Sequence, residues 1–257
     1  MVGKPIEFSI ADNVARVVLA NPENRNAMDA AFIHEFAAVA ARCEVEPALH
    51  AIVISARGDW FSAGGDLRGF LANRDHVTEH VRGLAGGLHA AVLALRRAAA
   101  PVIAAVGGTA AGAGFSLVCG ADLVVASEAA RFVSAYTASG VTPDGGGTFF
   151  LPRIVGRSVA FDLMATNPVL SAQEAKALGI VARVVAPEAL DEAVEALVAQ
   201  LAAQPPGAVA GLKALLRRGE DEALATQLRA EADSIARLAA SPATLARMEQ
   251  FLTRKAR

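Results

Sequence analysis

Two glycine-rich segments could surround a reacting group. Residues 61–67 read FSAGGDL after an apolar run, and residues 107–114 read GGTAAGAG between an apolar run and a short apolar helix. Glycine lets the backbone approach a ligand closely, and amides at a helix start carry partial positive charge. Two such amides directed at one carbonyl oxygen would form an oxyanion hole. Small residues also suit tight turns and close packing, so each segment alone is open to both interpretations.

A third segment adds a titratable group. Asp144 stands just before GGGT, residues 145–148, where a helix is predicted to begin. An aspartate there could transfer a proton at a substrate, or it could cap the helix by accepting hydrogen bonds from its free amides. His76 and His80 have a metal-like spacing, but no third ligand accompanies them, and neither glycine segment fits a nucleotide-binding motif. We therefore expect no metal and no nucleotide cofactor.

The elements that must position these segments alternate between strand and helix. Strands are predicted at six apolar runs: residues 6–10, 14–20, 51–55, 102–106, 123–126 and 181–185. A helix is predicted after Asp29 and another around Leu88, while residues 57–69 and 136–147 are predicted as loops. Ser171 and Glu174 have the spacing of a capping box.

The pattern changes near residue 187, after which only helices are predicted. We therefore predict an α/β core over residues 1–200 and a helical C-terminal part over residues 201–257. Residues 98–121 carry no charge, but a proline and several glycines divide them into short elements. This favours a buried segment of the core over a membrane span.

Composition excludes several classes of protein. The 257 residues carry 24 Lys+Arg against 26 Asp+Glu, and the net charge of −2 argues against nucleic-acid binding. Two cysteines cannot form a disulfide framework, and hydrophobic residues make up 54% of the chain, enough for a large core. No apolar leader is visible at the N-terminus, so a cytoplasmic location is expected.

In the order and spacing of six sequence segments, the chain resembles the crotonase, or enoyl-CoA hydratase/isomerase, superfamily. The similar segments are NPENRNAM (21–28), WFSAGGDL (60–67), AVGGTAAGAG (105–114), ADLVVA (121–126), GVTPDGGGT (140–148) and LPRIVG (151–156). The resemblance implies an α/β superhelix of repeated ββα units, with the C-terminal helices used in a homotrimer or a dimer of trimers. It also implies an acyl-CoA substrate, whose coenzyme A is part of the substrate, and no membrane partner.

The resemblance also implies roles for single residues. The oxyanion-hole amides map to Gly65 and Ala113. Substrate contacts, mainly to coenzyme A, map to Arg25, Ala27, Ala63, Asp66 and Leu67, and Phe251 and Lys255 would reach the coenzyme A of a neighbouring subunit. The two glutamates of the hydratases fall on Ser116 and Tyr136, which are therefore expected only to contact substrate.

The aspartate loop is most similar to that of the epoxyphenylacetyl-CoA isomerases, in which an aspartate at this position moves protons. One carboxylate beside an oxyanion hole suffices for isomerisation, because a proton taken from one carbon can return to another. We therefore predict an acyl-CoA isomerase with Asp144 as its acid and base. Three alternatives stay open: a hydratase with a non-standard base, a hydrolase or dehalogenase with Asp144 as nucleophile, and a non-catalytic acyl-CoA-binding subunit.

Overall fold

The computed structural model of the chain describes residues 4–205, 207–219 and 226. Its strands are β1 (Ile6–Ala11), β2 (Val14–Leu19), β3 (Ala51–Ala56), β4 (Trp60–Ser62), β5 (Val102–Val106), β6 (Thr109–Ala111), β7 (Leu123–Ser127), β8 (Arg131–Val133), β9 (Leu170–Ser171) and β10 (Arg183–Val185). Its α-helices are α1 (Ala30–Glu44), α2 (Leu67–Ala72), α3 (Val77–Arg97), α4 (Ala113–Cys119), α5 (Gly147–Val155), α6 (Arg157–Thr166), α7 (Ala172–Ala177), α8 (Leu190–Ala202) and α9 (Ala208–Gly219).

Side-chain caps mark the starts of two helices that the sequence predicts. The Asp29 carboxylate accepts a hydrogen bond from the Phe32 amide at 2.8 Å and caps α1, whose apolar face is buried. Ser171 and Glu174 form the predicted capping box at the start of α7. Both helix starts confirm the sequence prediction.

The larger sheet has the strand order β1-β2-β3-β5-β7-β10. Apart from the antiparallel β1–β2 hairpin, its neighbouring strands are parallel. Alternate residues of β3 face opposite sides, since Ile52 and Ile54 join the main core while Val53 joins a second core that includes residues of α8. Burial on both faces explains why β3, β5 and β7 are nearly continuous apolar runs.

The smaller sheet has the order β4-β6-β8-β9, with β4, β6 and β8 parallel. Three successive pairs, β3–β4, β5–β6 and β7–β8, each place one strand in the larger sheet and the next in the smaller sheet. This repetition agrees with the expected ββα fold. The sequence prediction was wrong in detail: residues 57–69 and 107–112, predicted as a loop and a turn, contain β4 and β6.

The smaller sheet brings three chain segments together. Parallel strands end at the same edge of a sheet, so the segments that follow β4, β6 and β8 begin side by side. These segments are the first glycine-rich turn, the second glycine-rich turn and the loop that carries Asp144.

The helices of the described residues include none with the length and apolar character needed to cross a membrane. The predicted C-terminal part, residues 201–257, is described only through α9 and residue 226. Phe251 and Lys255 lie outside the described residues, and the homotrimer stays a prediction.

Candidate active site

The two glycine-rich turns are in direct backbone contact. An ideal Cβ on Gly64 would lie 2.8 Å from the carbonyl oxygen of Ala111 and 2.9 Å from the amide nitrogen of Ala113. The two turns also approach each other closely at a second point, where an ideal Cβ on Gly114 would lie 2.7 Å from the carbonyl oxygen of Ser62. A side chain at either glycine would separate the turns, so the glycines permit the close approach that the sequence only suggested.

The amides of Gly65 and Ala113 are available to a ligand. Ala113 is the first residue of α4, and an amide at a helix start has no acceptor within the helix. Among the hydrogen bonds of the described residues, none uses either amide as the donor, whereas the Gly64 amide is occupied by the Ser62 hydroxyl at 3.1 Å. Both residues line one cavity of about 540 Å³.

This cavity lies between α2, α3 and the three segments, and it is called here the acyl cavity after the group that the family resemblance predicts it to hold. Its walls are mostly apolar or made of backbone: Ala63, Gly65, Leu67, Phe70, Val81, Ala85, Gly112, Ala113, Ala135, Tyr136, Ser139, Gly140, Val141, Thr142, Pro143 and Asp144. Asp144 provides the one carboxylate among these described lining residues. A residue with a titratable carboxylate therefore lines a mostly apolar space that the two residues with free amides also line.

Asp144 belongs to a hydrogen-bonded chain. The hydroxyl of Tyr136 donates to Oδ1 of Asp144 at 2.6 Å, and the hydroxyl oxygens of Ser116 and Tyr136 are 3.1 Å apart. Ser116 is only 3% exposed and does not line the acyl cavity. Ser116 therefore contacts Tyr136 rather than the cavity, and its contact with substrate stays a prediction.

The phenol of Tyr136 is held in its neutral form. Burial, reinforced by the negative charge of Asp144, raises the pKa of Tyr136 far above its ordinary value. Tyr136 is thus a hydrogen-bond donor at any working pH. Asp144, in turn, does not cap α5, because the N-terminus of that helix at Gly146 has no side-chain cap.

A second cavity of about 340 Å³ adjoins the acyl cavity and shares Ala63, Gly65 and Leu67 with it. Arg25 and Asp66 also line this second cavity. Five residues predicted to contact substrate are therefore brought together: Arg25, Ala27, Ala63, Asp66 and Leu67. An elongated ligand could extend through both cavities past the free amide of Gly65.

The first glycine-rich turn is held in place by Asn26. Its side chain accepts a hydrogen bond from the Asn21 amide and donates to the carbonyl oxygens of Arg57 and Trp60. Arg25 stacks its guanidinium 5.2 Å from the centre of the Trp60 ring. The Asp66 carboxylate accepts from the amide of Arg68 and caps α2, so it has a structural role at the site.

Sequence reasoning missed part of the acyl cavity. Phe70, Val81 and Ala85 of α2 and α3 line it, but their spacing alone marks only a helix face. His89 of α3 accepts a hydrogen bond at 3.3 Å from the amide of Gly145, next to Asp144. No group of His, Cys, Asp and Glu that could hold a metal ion occurs in the described part of the chain.

The chain belongs to the enoyl-CoA hydratase/isomerase family, because the model of that family matches residues 9–256. A Rhodobacter capsulatus protein named "Probable enoyl-CoA hydratase" is 34% identical over 88% of this chain and 86% of its own. The 4-chlorobenzoyl coenzyme A dehalogenase-2 of Arthrobacter is 30% identical over 98% and 92%. The 1,2-epoxyphenylacetyl-CoA isomerase of Escherichia coli is 32% identical over 87% and 86%.

Solved structures show the same fold. An enoyl-CoA hydratase from Polaromonas sp. JS666 has a TM-score of 0.91 and 33% identity, covering 97% of both chains. A Thermobifida fusca protein in complex with acetoacetyl-CoA has a TM-score of 0.83 and 37% identity, covering 92% of this chain and 95% of its own. The fold and the family are therefore established, and the relatives span hydration, dehalogenation and isomerisation.

Proposed function

We propose that the protein is an acyl-CoA isomerase in which Asp144 transfers a proton between two carbons of the acyl group. The observation that carries this proposal is the position of Asp144: it lines the same cavity as the free amides of Gly65 and Ala113 and is the one carboxylate-bearing residue among the described lining residues. Coenzyme A belongs to the substrate, and this chemistry requires neither a redox cofactor nor a metal.

The two amides would bind the thioester oxygen. When Asp144 removes a proton from a carbon conjugated with the thioester, negative charge develops on that oxygen. Amides that are already oriented toward it stabilise this charge without reorganising, and one such donor contributes roughly 3–4 kcal/mol to the transition state. Asp144 then returns the proton to a second carbon, so the product has the mass of the substrate.

The cavity walls favour one class of acyl group. The acyl cavity of about 540 Å³ is lined mainly by apolar side chains, including Phe70, Val81 and Val141. An uncharged enoyl or ring-bearing acyl group satisfies these walls, whereas a charged acyl end would lack a partner there. The adjoining cavity with Arg25 would take the phosphate-bearing part of coenzyme A, to which a guanidinium binds well.

The proposal is tested with an acyl-CoA panel in deuterated water, followed by mass spectrometry. The panel contains crotonyl-CoA, a 3-enoyl-CoA, a dienoyl-CoA and an epoxyphenylacetyl-type CoA. Deuterium exchange or mass-neutral conversion should fall at least about 100-fold in Asp144→Asn, the scale of a lost general acid–base group. Asp162→Asn, at an exposed position on α6, is the matched control and should keep wild-type rates.

A gain of one water on crotonyl-CoA that survives in Asp144→Asn would contradict the proposal and indicate a hydratase with another base. Coenzyme A thioester binding without any turnover would indicate a non-catalytic subunit.

A second candidate function is hydrolytic dehalogenation with Asp144 as the nucleophile. The similarity to the Arthrobacter dehalogenase over 98% of this chain favours it, as does the acidic side chain facing an apolar cavity. The carboxylate would displace a halide from an activated ring and form an ester, which water then cleaves. A single turnover in heavy-oxygen water labels the Asp144 carboxylate in this reaction, whereas isomerisation leaves it unlabelled.

A further inference from the structure

We propose that Ser116 and Tyr136 form a positioning pair that holds the Asp144 carboxylate in one orientation, with Oδ1 bound by the tyrosine and Oδ2 left for the substrate. This inference rests on the proposed function, in which Asp144 is the acid and base. It assigns a role to the two positions where the family resemblance places the hydratase glutamates.

The direction of each hydrogen bond follows from the number of protons. Tyr136 has one hydroxyl proton, and the 2.6 Å contact with Asp144 Oδ1 requires it, because a carboxylate can only accept. The 3.1 Å contact between Ser116 Oγ and Tyr136 Oη therefore needs the serine proton. Ser116 donates to Tyr136, and Tyr136 donates to Asp144.

Such a chain is stronger than two separate bonds. A hydroxyl that accepts a hydrogen bond becomes a better donor, and both effects grow in a buried environment. The described hydrogen bonds occupy Oδ1 of Asp144 and leave its Oδ2 without a partner. A proton taken from the substrate can therefore reside on Oδ2 while Oδ1 still accepts from Tyr136, so the orientation of the carboxylate is the same before and after proton transfer.

Ser116 is itself fixed by packing. It is 3% exposed in α4, and the glycine loop before α5 lies directly over it. A Cβ on Gly147 would lie 2.6 Å from Ser116 Oγ, and a Cβ on Gly145 would lie 3.2 Å from Ser116 Cβ. The same contacts position the loop that carries Asp144. Through its hydroxyl and its packing, Ser116 thus connects α4 to the loop that carries Asp144.

Tyr136 itself is a poor candidate for the proton-transferring group. Burial and the charge of Asp144 raise the pKa of Tyr136 so far that its proton is retained under working conditions. The other titratable group beside the loop is His89, whose Nε2 accepts from the Gly145 amide. Asp144 lines the cavity and has a carboxylate oxygen, Oδ2, that none of the described hydrogen bonds uses.

A double-mutant cycle separates a positioning role from a direct one. In wild type, Tyr136→Phe should lower kcat for deuterium exchange by about 10-fold and leave KM within twofold, because phenylalanine keeps the cavity wall. In an Asp144→Asn background the same change should lower the residual rate by less than twofold, since there is no carboxylate left to position. An equal loss in both backgrounds would overturn the proposal.

A spectroscopic measurement tests the pair without relying on turnover. Tyr136 is the only tyrosine of the 257 residues, so a ¹³Cζ label on tyrosine gives one assignable NMR resonance. We expect Ser116→Ala and Asp144→Asn each to shift this resonance. Ser127→Ala removes another buried serine hydroxyl, which donates to the Gly107 carbonyl instead, and should leave the resonance unchanged.

An unchanged tyrosine resonance in Ser116→Ala would overturn the proposal that Ser116 and Tyr136 form a positioning pair. A protein that turns over no acyl-CoA but shows the expected shifts would contradict the proposed function and still confirm the hydrogen-bonded arrangement.

Discussion

Replacing Gly64 by alanine tests whether contact between the two glycine-rich turns positions the amides of Gly65 and Ala113. Gly64 has a φ of +87°, and its added Cβ would lie 2.8 Å from the Ala111 carbonyl oxygen and 2.9 Å from the Ala113 amide nitrogen. Both neighbouring atoms belong to the backbone and cannot rotate away. Alanine at this position must therefore push the turns apart.

The expected losses follow from these contacts. The left-handed conformation costs alanine about 1–2 kcal/mol, and overpacking costs roughly 1–3 kcal/mol more. Ordinary Cβ contacts begin at 3.4 Å, so relieving the contact moves the Ala113 amide by about 0.5 Å. Displacing a preorganised donor by this distance should lower kcat by about 10- to 100-fold.

Gly179→Ala is the matched control. Gly179 also has a positive φ, +82°, but its added Cβ would meet only Ile154, at an ordinary 3.8 Å. Urea unfolding should show a smaller loss of stability in Gly179→Ala, and its deuterium-exchange rate on the best substrate should equal that of wild type. Rates for Gly64→Ala within twofold of this control, measured where both proteins are folded, would refute the positioning role of the contact.

Three further predictions follow from buried polar groups. Asn26→Ala leaves three backbone groups without their partner and should lower the unfolding free energy by about 3 kcal/mol or more in urea titrations. The pKa of Tyr136 is raised in the folded protein, so as the pH rises the unfolded chain loses the phenol proton before the folded protein does. The unfolding free energy should therefore fall above about pH 10. Tyr136 should account for about 1.4 kcal/mol of this decrease per pH unit, and Tyr136→Phe should lack that part. Burial raises the pKa of Cys43 to about 11 and of Cys119 to about 12, so a disulfide reagent at neutral pH should label neither thiol until the chain unfolds.

The strands of the larger sheet, apart from β10, could be predicted from the sequence because they are five or six residues long and are either mainly apolar or, in β1, alternate between apolar and polar residues. The smaller sheet could not, since β4, β6 and β8 have three residues each, too few for an alternating pattern. These short strands are defined by pairing with one another. Their absence from the prediction matters, because they are the elements that bring the three site segments to one edge.

The site was predictable where it depends on backbone and chain order. The glycine-rich turns indicated a close backbone approach, and the structure shows that the turns meet, whereas the choice of Gly65 and Ala113 came from the family resemblance. The sequence could not distinguish a capping Asp144 from one that faces a cavity, because both roles use the same position before a helix. Only the partner of its carboxylate, Tyr136, separates the two.

Ser116, Tyr136 and Asp144 form a hydrogen-bonded arrangement that differs from the two glutamates which the family resemblance places at positions 116 and 136. A glutamate at position 136 would place a second negative charge beside Asp144. Two adjacent carboxylates in an apolar cavity would repel each other and disfavour ionisation of both. A neutral serine and a neutral tyrosine remove this repulsion and supply donors in its place. Introducing a glutamate at position 136 should therefore lower rather than raise the proton-transfer activity.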